Sequence, residues 1–319
     1  MKKTRFLTII GILIINVSFG QSTETYEELI NEASELYESK EYLKSGQKYA
    51  EAFAANGGTL VDRYNAACSW ALAGQSDSSF IQLFKIVEIG KFTDIEHITS
   101  DSDLNALHAD ERWSKFIDLI KSNRENFDEQ LVAILDTIYQ TDQGYRIKAD
   151  EIEQKYGGES EEMKAFVKII QEQDSINVVK VTNILDEHGW LGPDVIGNQG
   201  NLTLFLVIQH SYPETQKKYL PMLREAVKKG NAQPAYLAML EDRVALGKGE
   251  KQIYGSQIGH DQETGEYYVS PLIDPDNVDK RREEVGLGPI QEYISNWGIT
   301  WDAEEYKINL PEIEKKYNK

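Results

Sequence analysis

Two polar pairs sit where an apolar chain is least expected to break. Gln209-His210 closes one apolar run and Asp242-Arg243 interrupts another. An imidazole titrates near working pH, at an ordinary value of about 6.5, so His210 has the chemistry of a general acid or base. Asp242 is a carboxylate that would orient it, and Arg243 a cation that would hold a polar substrate. Shortly after comes Gln252-Ile253-Tyr254-Gly255-Ser256-Gln257. If that stretch is extended, Gln252, Tyr254 and Ser256 share one face at period two and present an amide, a phenol and a hydroxyl side by side. Ser256 offers a hydroxyl nucleophile, although no nucleophile-elbow spacing surrounds it. The catalytic candidates are therefore His210 and Asp242. The ligand-binding candidates are Gln209, Gln216, Arg243, Gln252, Tyr254, Ser256 and Gln257. Amides outnumber acid-base groups in this set, which favours recognition over catalysis. The same residues also suit a closed cluster in which His210, Asp242 and Arg243 satisfy one another, because buried polar groups are ordinarily bonded.

The elements that carry these residues read as helices. Residues 202–208 are apolar except for Thr203, all round rather than on one stripe, which predicts a buried helix. Residues 235–240 repeat the pattern. Helical spacing puts Asp242 on the face of Ala235 and Met239, and Arg243 on that of Tyr236 and Leu240, so at least one charge is buried and needs a partner. Upstream, Phe127, Leu131, Ile134, Leu135 and Ile138 form a stripe, followed by Asp142 and Arg146, four apart, as a surface ion pair. Residues 160–188 predict one long amphipathic helix, or two with a break near Asp174-Ser175, stopped by Gly189. The glycine-rich stretch 189–197 is a turn or a ligand-cradling loop. Residues 263–266 predict a hairpin turn leading into Tyr267-Tyr268-Val269, hence a small two-stranded ribbon. Residues 276–285 and 290–297 predict short helices. Asp274, Asp276 and Asp279 favour the start of the first, and a calcium site there lacks a full ligand set.

Ahead of these, residues 29–56 and 63–90 superimpose at a shift of about 34 residues. Ala33, Leu36, Tyr49 and Ala52 in the first copy, and Ala67, Trp70, Leu83 and Ile86 in the second, occupy the small and large packing positions of helical hairpins. Both segments resemble tetratricopeptide repeats, with Ser45 and Ser79 in place of the usual alanine. Thr25-x-x-Glu28 predicts a capping box before the first helix, and Gly57-Gly58 and Gly74 mark breaks. Asp101-Ser102-Asp103-Leu104 and Arg112-Trp113 resemble the closing segment of exported bacterial tetratricopeptide proteins. Trp113, Phe116, Ile117 and Ile120 would then cover the last open face. Asp101 and Asp103 read as caps rather than ligands. His97 and His108 have no ligand partner at metal-binding spacing, so no metal and no cofactor are expected.

Lys2, Lys3 and Arg5 precede an apolar stretch from Phe6 to Phe19, with Ser18 and Gly20 at a cleavage site, so residues 1–20 are expected to be a signal peptide. Its removal takes the formal charge from −19 to about −22. A field of that sign repels nucleic acid and anionic lipid. No later segment predicts a membrane span. The single cysteine, Cys68, allows no internal disulfide and reads as a buried apolar filler. Outside the cytoplasm nucleotide cofactors are not in supply, which turns the expectation toward ligand recognition or cofactor-free hydrolysis.

The order Asp142-Gln143 with Arg146, Gly189-Trp190, Gln209-His210, Gln216, Asp242-Arg243, Gln252-x-Tyr254-Gly255-Ser256-Gln257 and Arg281-Arg282 resembles an uncharacterised bacterial domain family, in which threonine is usual at Ser256. The resemblance carries no activity with it. The chain is thus expected to be mainly α, with a signal peptide (1–20), tetratricopeptide-type hairpins (21–125) and a helical domain bearing a small β-ribbon (126–319). The expected role is that of a periplasmic or secreted binding protein, with a polar pocket for a small ligand and a repeat domain for a protein or peptide partner. The alternative is a hydrolase using His210.

Overall fold

The computed structural model describes residues 23–261 and 264–317. The expected signal segment, and Glu263 of the expected ribbon turn, lie outside the described residues. The chain divides into two compact units, one ending at Phe127 and the other running from Asp128.

The first unit is built of helices α1 (Thr23–Glu38), α2 (Tyr42–Asn56), α3 (Leu60–Leu72), α4 (Ser76–Glu88), α5 (Ile95–Ser100) and α6 (Glu111–Asn123). Helices α1 and α2 form one hairpin, and α3 and α4 a second. Ala33 and Ala67 are fully buried where the helices of each hairpin meet. The two serines that replace alanine have their hydroxyls satisfied in the same way. Ser45 Oγ donates to the carbonyl of Ala33, and Ser79 Oγ to that of Ala67, both at 2.7 Å. The hairpins adjoin so closely that a Cβ at Gly46 would come within 2.6 Å of the Trp70 ring, so only glycine fits there. Gly57 ends α2 in the left-handed region at φ +68°. Thr25 lies inside α1 rather than ahead of it, so the expected capping box is not the start of that helix. Asp101 does cap: its carboxylate accepts from the Asp103 amide at the head of a 3-10 turn, Ser102–Leu107. Trp113, Phe116 and Ile120 of α6 then close the apolar cluster formed by Phe80, Leu83 and Ile86.

The second unit contains α7 (Glu129–Tyr156), α8 (Glu161–His188), α9 (Pro193–His210), α10 (Pro213–Lys228) and α11 (Pro234–Leu246) around one core. Ser160 caps α8, which runs unbroken through Asp174-Ser175. Of the stripe expected on α7, Leu135 and Ile138 are fully buried while Ile134 faces solvent. Gly189 follows α8 at φ +71°, Pro193 opens α9 and Gly197 kinks it. The glycine-rich stretch is therefore a helix boundary that seats the buried Trp190. Beyond the kink α9 is buried on nearly every side, as its uniformly apolar sequence demands.

A smaller core follows. Strands β1 (Ile258–His260) and β2 (Tyr267–Val269) pair antiparallel, with Gly259 opposite Tyr268. They pack with α12 (Val278–Glu284), α13 (Ile290–Ser295) and α14 (Ala303–Tyr317) through Val269, Val278, Ile290, Ile294 and Tyr306. Helix α14 has no counterpart among the expected elements.

Candidate functional site

Asp242 is completely buried on α11, and its partner is not His210. Its carboxylate accepts from the backbone amides of Ile253 (2.6 Å), Tyr254 (3.0 Å) and Ser256 (3.0 Å), and from the Ser256 hydroxyl (2.9 Å). Burial pushes the Asp242 carboxyl above its ordinary range, and these four donors pull against that shift without cancelling it. The expected extended face of Gln252, Tyr254 and Ser256 is instead a compact loop wrapped round one carboxylate. Gly255 makes the wrap possible at φ +67°, and a Cβ there would lie 2.7 Å from Ile290 Cδ1.

The remaining polar groups of that loop are also bonded. Gln252 is buried, donates to the carbonyls of Gln257 and Ser270, and accepts from the Gln257 amide. Arg282 donates to the Tyr254 carbonyl at 2.8 Å, Arg281 to that of Ile253 at 2.9 Å, and the Tyr293 hydroxyl to that of Ser256 at 2.8 Å. Ser256 Oγ is occupied by Asp242 and Gln257, so it is not placed as a nucleophile. Gln216 is likewise structural: its amide donates to the carbonyls of Gln209 and Ser211 at the end of α9. The acids weighed for calcium are taken up by cations, Asp274 by Arg281 and Asp276 by Lys307.

His210 meets a different acid. Its Nδ1 lies 3.2 Å from Oδ1 of Asp142 on α7, and the Asp142 side chain is 2% exposed. Asp142 and Arg146 are therefore not a surface pair. The Arg146 guanidinium lies 3.2 Å from the Asp142 carboxylate and forks onto Asp174 of α8 at 3.0 Å, while Gln143 donates to Asp142 at 2.6 Å. Burial alone would raise the Asp142 carboxyl, but His210, Arg146 and Gln143 outweigh it and hold the group below its ordinary value. His210 Nε2 has no partner among the described residues, and its side chain is partly exposed. A partly exposed histidine oriented through Nδ1 by a buried carboxylate, with Nε2 unpartnered among the described residues, is able to move a proton.

Arg243, like Asn177 Nδ2 and Trp190 Nε1, is another polar group left over. Its Nε is buried without a hydrogen-bond partner among the described residues, and no carboxylate there pairs with it. Burial lowers its proton affinity. Arg243 forms part of the wall of a cleft of about 470 Å³ shared with Gln257, His260, Tyr268, Lys316 and Tyr317. The buried Oε1 of Gln209, beside His210 in sequence, also lacks a partner.

Residues 121–308, more than half of the chain, match the family of unknown function DUF6624. The chain belongs to that family. Neither a curated protein nor a solved structure matches it. Within the DUF6624 segment the polar residues separate into two groups with different work. Asp242, Gln252, Ser256, Arg281 and Arg282 hold a loop together. Asp142, Arg146 and His210 form one partly exposed cluster, and Arg243 with Gln257 faces the cleft. His260 and Tyr268, on the ribbon, and Lys316 and Tyr317, at the end of α14, are cleft residues that sequence reasoning missed. The DUF6624 match ends before α14 does, and the only sequence signal for that helix was the amphipathic run itself.

Outside the DUF6624 segment, Cys68, Asp101 and Asp103 bring ligand atoms within 4.8 Å of one another. The hydroxyls of Tyr64 and Tyr37 donate to Asp101 and Asp103. Burial raises the Cys68 thiol, and the two acids raise it further, which opposes the thiolate that a metal requires.

Proposed function

We propose that this chain is an exported binding protein whose DUF6624 segment takes a small polar ligand in the cleft beside Arg243. The observation that carries the reading is the guanidinium itself: a half-buried cation with an unpartnered Nε in a concave wall. A buried donor without a partner costs on the order of 1–3 kcal/mol, so a fold keeps one where a ligand repays it. The paired hairpins of the first unit, read as tetratricopeptide repeats, dock a protein or peptide partner. The repeated Ser45–Ala33 and Ser79–Ala67 bonds support that reading of the repeat. Native mass spectrometry of the full chain, purified without denaturant and then titrated with a panel of small metabolites, tests the pocket. A retained or added mass that Arg243→Met loses supports it; a wild-type chain that stays bare throughout overturns it. Export predicts a mature N-terminus at Gln21, and an intact Met1 in the cytoplasmic fraction overturns that part.

A second reading is favoured by Asp142. With His210 Nδ1 held at 3.2 Å by a buried carboxylate, the chain would act as a cofactor-free hydrolase, Nε2 taking a proton from water. Ester, amide and phosphoester substrates offered to wild type and His210→Ala decide it. Turnover that survives in His210→Ala excludes the role.

A further inference from the structure

The charge lining the cleft is opposite to that of the chain. The protein has 53 acidic and 34 basic residues, yet among the described residues no carboxylate lines the cleft, while Arg243, Lys316 and His260 all do. Lys316 pairs with Asp261 at 2.8 Å. Among the described residues Arg243 has no such counter-ion. A desolvated cation with no acid against it there is stabilised by an anion placed against it. The guanidinium fork matches the two oxygens of a carboxylate, phosphate or sulfonate. A volume of about 470 Å³ is several times what an inorganic oxyanion fills, so a body accompanies the charged head. Tyr268 and Tyr317, with Leu246 and Ile258, border the remaining space and offer that body aromatic and apolar contact.

We infer that the cleft selects an organic oxyanion, with its charged oxygens on Arg243 and a planar body between Tyr268 and Tyr317. This rests on the binding reading above and adds to it the sign and shape of the ligand. Arg243 sets the specificity: a neutral or cationic analogue of the same shape gains nothing from it and leaves its charge uncompensated.

Two fluorescent probes of one shape test it on the full chain. 8-Anilinonaphthalene-1-sulfonate carries a sulfonate, and N-phenyl-1-naphthylamine is the same ring system without it. Wild type is expected to bind the sulfonate saturably and at least about tenfold more tightly than the neutral amine, the factor that a charge-assisted hydrogen bond supplies. Arg243→Met is expected to erase that preference while leaving the neutral probe unchanged. Arg224→Met, which removes the same charge from an exposed site paired with Glu241, is expected to change neither. Should Arg243→Met lose its native near-ultraviolet circular dichroism, Lys316→Met on the partly exposed wall replaces it, with the sulfonate again expected to weaken and the amine to hold. Equal affinity for both probes in wild type, or sulfonate binding that survives both cleft variants, overturns the oxyanion inference and leaves the pocket standing. Failure of wild type to bind either probe overturns the pocket reading and the inference with it.

Discussion

His210 Nδ1 and Asp142 Oδ1 lie 3.2 Å apart although 68 residues separate them, and the acid is among the most buried charged groups of the chain. Asp142 is also the point at which Arg146 and Gln143 converge. Asp142→Asn is therefore expected to destabilise the fold by about 3–5 kcal/mol in urea titration, the scale on which a buried pair loses one partner. His210→Ala is expected to cost less, because Asp142 keeps two donors. Equal losses in the two variants would mean that Asp142 matters only through His210.

The pH dependence of the two buried acids runs in opposite directions. Although burial pushes Asp142 up, its partners bring its carboxyl below the ordinary value of about 3.9, so near that pH the folded chain binds fewer protons than the unfolded one. Its contribution is complete above the ordinary value and lost as pH falls through the depressed folded value. Burial holds Asp242 above the ordinary value, so its contribution is present at low pH and declines as pH rises from the unfolded toward the raised folded value. The stability gap between wild type and Asp142→Asn is thus expected to shrink on acidification from about pH 5, and that for Asp242→Asn to widen. Urea titrations across that range check both, and a flat gap for Asp142→Asn overturns its assigned sign.

Asp242→Asn swaps one carboxylate oxygen for an amide donor facing backbone donors. We expect a loss of about 3 kcal/mol, together with faster hydrogen exchange at the Ile253, Tyr254 and Ser256 amides. Exchange that stays slow at all three amides would show that the loop holds without its central acceptor.

In the hairpin unit, Ser45→Ala and Ser79→Ala each remove one buried hydroxyl bond, for an expected cost of about 1 kcal/mol. Alanine suits the packing position, so the hairpin helices remain. A loss of circular dichroism helicity in either variant would contradict the equivalence of the two sites. Ser45 also faces Ser69 at 2.9 Å, so its substitution is expected to be the costlier of the two.

Much of the architecture was legible because it is local. The small and large positions of the two hairpins, the Asp101 cap and the all-round burial of α9 each follow from spacing within one helix, whereas spacing left open whether α8 is one helix or two. Periodicity also required that at least one of Asp242 and Arg243 be buried, since apolar residues share the face of each. It mistook Asp142 for a surface residue because the polar residues that follow it on α7 resemble a solvated face, whereas His210 from α9 and Asp174 from α8 close over it.

Partners were beyond the reach of spacing. His210, Asp242 and Arg243 on α9 and α11 looked able to satisfy one another, and only the packed chain shows His210 turned to α7, Asp242 to the loop after α11, and Arg243 without an acid among the described residues. Helical spacing states which face a residue occupies and how wet that face is. Which element lies across from it depends on how the helices cross and on where a loop such as 252–257 is pinned by Arg281 and Arg282. Those are contacts between residues far apart in the chain, so burial could be derived one helix at a time, whereas the pairing of charges emerged only when all the elements were packed together.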